Sequence, residues 1–160
     1  MKLQIEKALV ESAVKTFESI CFMYVVPELK EAQKDLELEA ASEVKYRGDL
    51  NGKLVIETRG GLFSAIASNM LSNDSPSSQQ KKDALGEIAN IICGNIIPSL
   101  GHIGGRGYKI ESPKYLNQEE LLKEEGQGQP LAEITLNLNS GRADIKFFVD
   151  DYHPSREKKD

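Results

Sequence analysis

Within the stretch Ser78–Ile97, Asp83, Glu87, Asn90 and Gly94 follow one another at steps of four, three and four. On a helix turning about 100° per residue they fall within about 60° of one another. Ala84, Leu85, Ile88, Ile91, Ile92 and Ile96 gather on the other side, the stripe a helix buries. Two carboxylates, a carboxamide and a glycine along one ridge form a surface that can be presented to another molecule. The ridge holds no strong nucleophile, but an amide both donates and accepts hydrogen bonds. A plain amphipathic helix with a solvated face has the same pattern, and spacing alone does not separate the two.

Other reactive residue types lack partners. Cys93 projects about 60–80° away from the ridge with no histidine nearby in sequence, which predicts a buried structural thiol. His102 and His153 stand at neither metal nor triad spacing, and Cys21 and Cys93 lack metal-ligand spacing. No metal site is expected. Gly101–Gly107 is glycine-rich, but it follows a helix and lacks a Gly-Lys-Ser/Thr, so it reads as a tight turn and not a phosphate cradle. Lys81 and Lys82 read as a solvated helix start, with contact to an acidic partner as the alternative.

The 160 residues carry a net charge of −5, which argues against a nucleic-acid partner, because phosphate affinity needs a basic surface. The longest apolar run, Ile20 to Pro27, is too short to cross a bilayer. Gln4, Glu6 and Lys7 interrupt any signal-peptide core, so a reduced, cytoplasmic protein with no membrane partner is expected.

The elements that must position the ridge are legible from period. Leu3, Leu9, Val10, Ala13, Val14, Phe17, Ile20 and Cys21 predict a first helix over 3–22. Leu36 to Tyr46 alternates, Gly48–Gly52 turns around Asn51-Gly52, and Leu54 and Ile56 alternate back, which predicts a hairpin. A short helix spans Leu62 to Leu71, and a polar loop at 73–78 delivers the chain to the central helix, which Pro98 closes or kinks. A strand is expected at Tyr108–Ser112, a variable loop with a possible helical turn over 114–130, and a second hairpin at Ile134–Leu138 and Ile145–Val149. The sum is an α/β fold of α+β type, with helices packed on one face of a mainly antiparallel sheet. Residues 1–152 are read as the domain and 153–160 as a polar tail.

The ridge resembles the signature of the CheC/CheX/FliY chemotaxis phosphatases: Asp or Ser, three residues, Glu, two residues, Asn, twenty-two residues, Pro. Asp83, Glu87, Asn90 and Pro113 fit it, and Ala84–Asn90 followed by Gly94-Asn95 is the family's usual wording. The likeness runs roughly from Val44 to Val149. It is similar to CheX in having a single motif, since the first helix offers Val14, Glu18 and Cys21 where Asp/Ser, Glu and Asn would stand. The resemblance implies the helix-on-sheet fold and a phosphatase acting on the aspartyl phosphate of a phosphorylated CheY-type response regulator. Asn90 would then orient the attacking water and Glu87 would pair with a lysine of the regulator. Asp83 would support docking, Gly94 would let the partner's backbone approach, and Pro113 would be architectural, terminating a strand. It further implies no cofactor of the chain's own, with Mg²⁺ supplied by the regulator, and a homodimer formed through the sheets. The alternative is a non-catalytic, CheC-like module that binds a response regulator or a flagellar switch component.

Overall fold

A computed structural model describes residues 2–103, 107–124 and 128–150 of the chain. Its centre is an antiparallel sheet. Strands β1 (Leu38–Arg47) and β2 (Gly52–Arg59) form the first hairpin, and β5 (Ala132–Leu138) and β6 (Gly141–Val149) the second. Two short strands, β3 (Lys109–Ile110) and β4 (Lys114–Leu116), share the outer side of β1, so the order is β3-β1-β2-β6-β5 with β4 beside β3 on β1. Joining β2 to β6 puts the two hairpins side by side.

The period-two alternation decides the faces. Ala40, Val44, Tyr46, Leu54, Ile56, Ile145 and Phe147 point inward and are almost wholly buried. Over them lie three helices: α1 (Lys2–Cys21), α3 (Leu62–Leu71) and α4 (Ser78–Ile96). A four-residue α2 (Lys30–Gln33) sits between α1 and β1. Helix α1 ends at Cys21, before Pro27 can act, because Phe22 turns left-handed at φ 56° and Met23 N donates back to Phe17 O at 3.0 Å.

The opposite face of the sheet carries charge. Glu57 and Asp144 are almost fully buried there, yet both are paired. Asp144 accepts from Arg59 Nε at 3.0 Å, from Arg142 Nε and Nη2 at 3.2 and 3.1 Å, and from Thr135 Oγ1 at 2.6 Å. Glu57 meets Lys146 at 2.9 Å. Burial works against the Lys146 charge, but the hydrogen bond and charge of Glu57, with Glu133 and Asp144 nearby, outweigh it and raise its pKa. Long cationic side chains thus cover the carboxylates they neutralise.

The expected fold class holds, with three local differences. The strand expected at 108–112 is only Lys109–Ile110. The stretch expected as a loop from Lys114 contains β4 and then α5 (Gln118–Glu124), whose Leu121 packs with Ala41, Val55 and Leu116 on the charged face of the sheet. The helical turn suggested within that loop is α5, a two-turn helix held by one apolar anchor; the anchor and β4 were not foreseen. Ile91, placed in the buried stripe from spacing, is half-exposed, because α1 and α4 leave a groove of about 430 Å³ between them that Ile91 and Asn95 line. The tail at 153–160 and Gly104–Arg106 of the glycine-rich turn lie outside the described residues.

Candidate functional site

Helix α4 starts where the sequence says it should. Ser77 caps it: its Oγ accepts from Gln80 N at 3.1 Å, and its own N–H donates to Gln80 Oε1 at 2.8 Å, a reciprocal box that satisfies two orphan donors. Ala84, Leu85, Ile88, Ala89, Ile92, Cys93 and Ile96 then anchor the helix on the core.

The ridge residues divide by environment. Asp83 is exposed and accepts from Gln79 Nε2 at 2.8 Å, one turn earlier on the same helix. Glu87 is exposed and forms no hydrogen bond or ion pair with any described residue. Asn90 is half-buried, and its Oδ1 is enclosed with no hydrogen-bond partner. A buried acceptor left unmade costs about 1–3 kcal/mol, so no internal bond locks this carboxamide in place.

Two glycines flank Asn90, one turn to either side, and they do different work. At Gly86 a Cβ would stand 3.0 and 3.1 Å from Pro113 Cβ and Cγ, so the missing side chain lets α4 lie against the Pro113 ring. At Gly94 a Cβ would meet only Ile110 Cδ1, at an ordinary 3.7 Å. A side chain at Gly86 would press on the Pro113 ring, whereas packing leaves room for one at Gly94. Pro113 lies between β3 and β4, where the strand bordering β1 is interrupted. It precedes a strand as well as following one, and its ring buttresses α4 beside the ridge. The signature's distant proline and its central helix are therefore neighbours in space.

Lys82, which the sequence offered as a solvated helix start or a contact for an acidic partner, adjoins this surface together with Ser42, Tyr115 and Phe63, which the sequence did not single out. Ser42 is 1% exposed, its hydroxyl has no hydrogen-bond partner, and it lies 3.8 Å from a Cβ placed at Gly86. Lys82 Nζ lies 4.7 Å from the centre of the Tyr115 ring, which stacks on Phe63. Neither arrangement is readable before strand pairing is known, because Ser42 and Tyr115 come together only through the β1–β4 register.

The first helix offers no second copy of the ridge. Glu18 is exposed, but Val14 is half-buried against the core and Cys21, at the place of the amide, is wholly buried. Cys21 and Cys93 are free thiols, and burial pushes each up to about 12. A thiol so raised is a poor nucleophile at neutral pH. Among the described residues no group of three His, Cys, Asp or Glu side chains is placed to hold a metal ion. None of their helices is long and apolar enough to cross a membrane.

An antiparallel sheet covered on one face by helices, with Glu87 exposed and Asn90 half-buried on the central one, is the α+β fold of CheX- and CheC-like chemotaxis proteins. Solved structures share it. CheX from Desulfovibrio desulfuricans matches with a TM-score of 0.64 and 19% identity, over 91% of this chain and 99% of that one. A CheX–CheY–BeF3–Mg complex from Borrelia burgdorferi matches with a TM-score of 0.62 and 15% identity, over 89% and 96%. FliY from Thermotoga maritima matches at 0.56 and 20%, over 92% and 89%. Among proteins of curated function none matches the sequence. The sequence model of the chemotaxis phosphatase CheX matches residues 40–137, a span that includes the whole signature from Asp83 to Pro113. The chain belongs to the CheX family.

Proposed function

We propose that this chain hydrolyses the aspartyl phosphate of a CheY-type response regulator. One observation carries the reading: Glu87 and Asn90 share a flank of α4, and neither side chain is hydrogen-bonded or ion-paired to any described residue. An exposed carboxylate and a half-buried carboxamide, both left without internal partners on one helix, are set for a partner. The family supports the same reading, as does a neighbour of this fold solved with CheY, BeF3 and Mg.

An acyl phosphate is already activated, so the chemistry lacks only a positioned water on an in-line path. Asn90 enters the regulator's site and holds that water through its carboxamide. The water oxygen bonds to phosphorus as the bond from phosphorus to the aspartyl oxygen breaks. The carboxylate is regenerated and inorganic phosphate leaves, with no covalent intermediate on this chain. Glu87 pairs with a cation at the mouth of the partner's site and sets the register. Asp83 supports docking from the preceding turn, Gly94 clears the approach of the partner's backbone, and Pro113 keeps α4 at its height above β1. The Mg²⁺ belongs to the regulator. Residues 1–152 form the working unit, in the cytoplasm.

A homodimer through sheet edges accompanies this reading. Among the described residues, the outer edge of β5 is paired only at its end, where Val25 bridges Leu138. Two copies aligned along Ala132–Leu136 would join their sheets, and sedimentation at micromolar concentration reads the doubled mass.

The test is phosphate release from a panel of phosphorylated CheY-type receivers, with wild type and Asn90→Ala side by side. Acceleration by wild type alone is expected. Equal acceleration by Asn90→Ala refutes the assignment of the water-holding group. Binding without acceleration marks a non-catalytic docking module instead.

A further inference from the structure

Lys82 is held in a way that neither the ridge nor the core requires. Its Nζ stands over the Tyr115 ring at 4.7 Å, and that ring stacks on Phe63 with centroids 5.9 Å apart and planes 25° apart. Three elements, α4, β4 and α3, therefore converge to aim one ammonium. Lys82 is half-buried and forms no ion pair with a described carboxylate, on a chain with more acidic than basic residues. The ring face offsets only part of what water gives an ammonium, about 0.5–1 kcal/mol at an exposed site. The charge stays available to something opposite in sign.

Its place on the helix is informative. Lys82 precedes Glu87 by five residues, about 7.5 Å along the axis, and Asn90 by eight, about 12 Å. Lys82 thus sets a cation beside the start of a ridge whose own charges, Asp83 and Glu87, are both negative. A surface of carboxylates alone would attract a basic partner without saying which way round it lies. Opposite charges at a fixed separation do say so, because the reversed pose puts like charges together.

We propose that Lys82 is a specificity-determining contact, which pairs with an Asp or Glu on the receiver domain outside its phosphorylation site and, with Glu87, fixes the direction of the receiver along α4. The inference rests on the proposed function for the identity of the partner. Tyr115 is the positioning residue, acting through Lys82. Since the contact lies well away from the water held by Asn90, it governs encounter and register and leaves the chemical step alone. Rim charges of this kind act mainly on association rate and salt dependence.

The experiment compares wild type with Lys82→Ala, Lys82→Glu, Lys82→Arg and Tyr115→Leu. It reads both release of phosphate and binding to a receiver activated with beryllofluoride and Mg²⁺, in low and in high salt. Lys82→Glu is expected to raise the half-saturating receiver concentration on the order of tenfold in low salt, shrinking as salt rises, with the saturated rate within about twofold of wild type. Lys82→Arg should restore binding, and Tyr115→Leu combined with Lys82→Ala should be no worse than Lys82→Ala alone. Unchanged half-saturation in Lys82→Glu, or a fall in the saturated rate alone, overturns the inference. Wild-type binding without phosphate release sinks only the proposed hydrolysis, and the docking role is then decided on the binding constants. Failure of wild type to bind any receiver overturns both.

Discussion

Replacing Gly94 by alanine separates packing from docking more cleanly than any other change on the ridge. The added methyl carbon would meet only Ile110 Cδ1 at 3.7 Å, and Gly94 does not adopt a positive φ. The helix therefore accepts alanine without strain. Alanine is favoured over glycine in a helix by roughly 1 kcal/mol, chiefly because the unfolded chain loses freedom. Gly94 is two residues from the end of α4, so about half that gain is expected, a rise in Tm on the order of 1–2 °C for a chain of this size. The same methyl stands about 6 Å along the helix axis from Asn90, on the flank offered to the partner. Overfilling a close-packed contact costs about 1–3 kcal/mol, which is a rise in half-saturating receiver concentration of roughly 5- to 150-fold. Gly86→Ala is the contrasting control. Its Cβ would press the Pro113 ring at 3.0–3.1 Å, and displacing the ring should cancel the helix gain and lower Tm instead. Thermal denaturation and receiver titration of both variants decide the matter. If Gly94→Ala is less stable than wild type, or is equally stable and docks as well as wild type, then the open space beside Gly94 serves no partner and the reasoning fails.

Three further outcomes are expected. Cys21 and Cys93 should resist thiol reagents in the native protein at pH 8 and react only on unfolding. Because their folded pKa of about 12 lies above the unfolded value, their contribution is intact below about pH 9 and lost as pH rises toward 12, so denaturant midpoints should fall across that window. Asp144→Ala leaves Arg59 and Arg142 facing each other, half-covered, with their shared acceptor gone. Urea denaturation should show a loss of about 3 kcal/mol, and a loss under 1 kcal/mol would mean that Glu57 and the carbonyls of Gln33, Lys34 and Leu36 suffice. Ser77→Ala removes the cap of α4 and should cost about 1 kcal/mol, read as a Tm drop on the order of 2–4 °C.

The two hairpins and α4 were legible because strict alternation and a 3.6 period leave few other readings. The ridge was legible for the same reason, since Asp83, Glu87, Asn90 and Gly94 differ in type from everything that α4 buries. Spacing could not tell Gly86 from Gly94. One is pressed by a proline 27 positions further along the chain and the other meets only Ile110 at ordinary contact distance, and only tertiary packing separates them. Ile91 counted as core by angle, yet it lines the groove between α1 and α4. Strand β4 was hidden because three residues are too few for a period to emerge, whereas α5 falls where the sequence had suggested a helical turn. The cage around Lys82 needed a strand register that no local rule supplies.

The interruption between β3 and β4 bears on how copies of the molecule can aggregate. A sheet grows by adding strands at whichever margin still has a regular row of unpaired amides and carbonyls. On the β1 side that row is broken at residues 111–113, where Pro113 contributes no N–H, so an incoming strand finds no continuous template. Among the described residues, the β5 margin is the one that remains open to extension. Two copies joined there across a two-fold axis consume it in both, and neither has a second margin to offer. Edge-to-edge assembly of the proposed kind would end at a pair, and fibrous stacking would be closed off by the same interruption that brings Pro113 against α4.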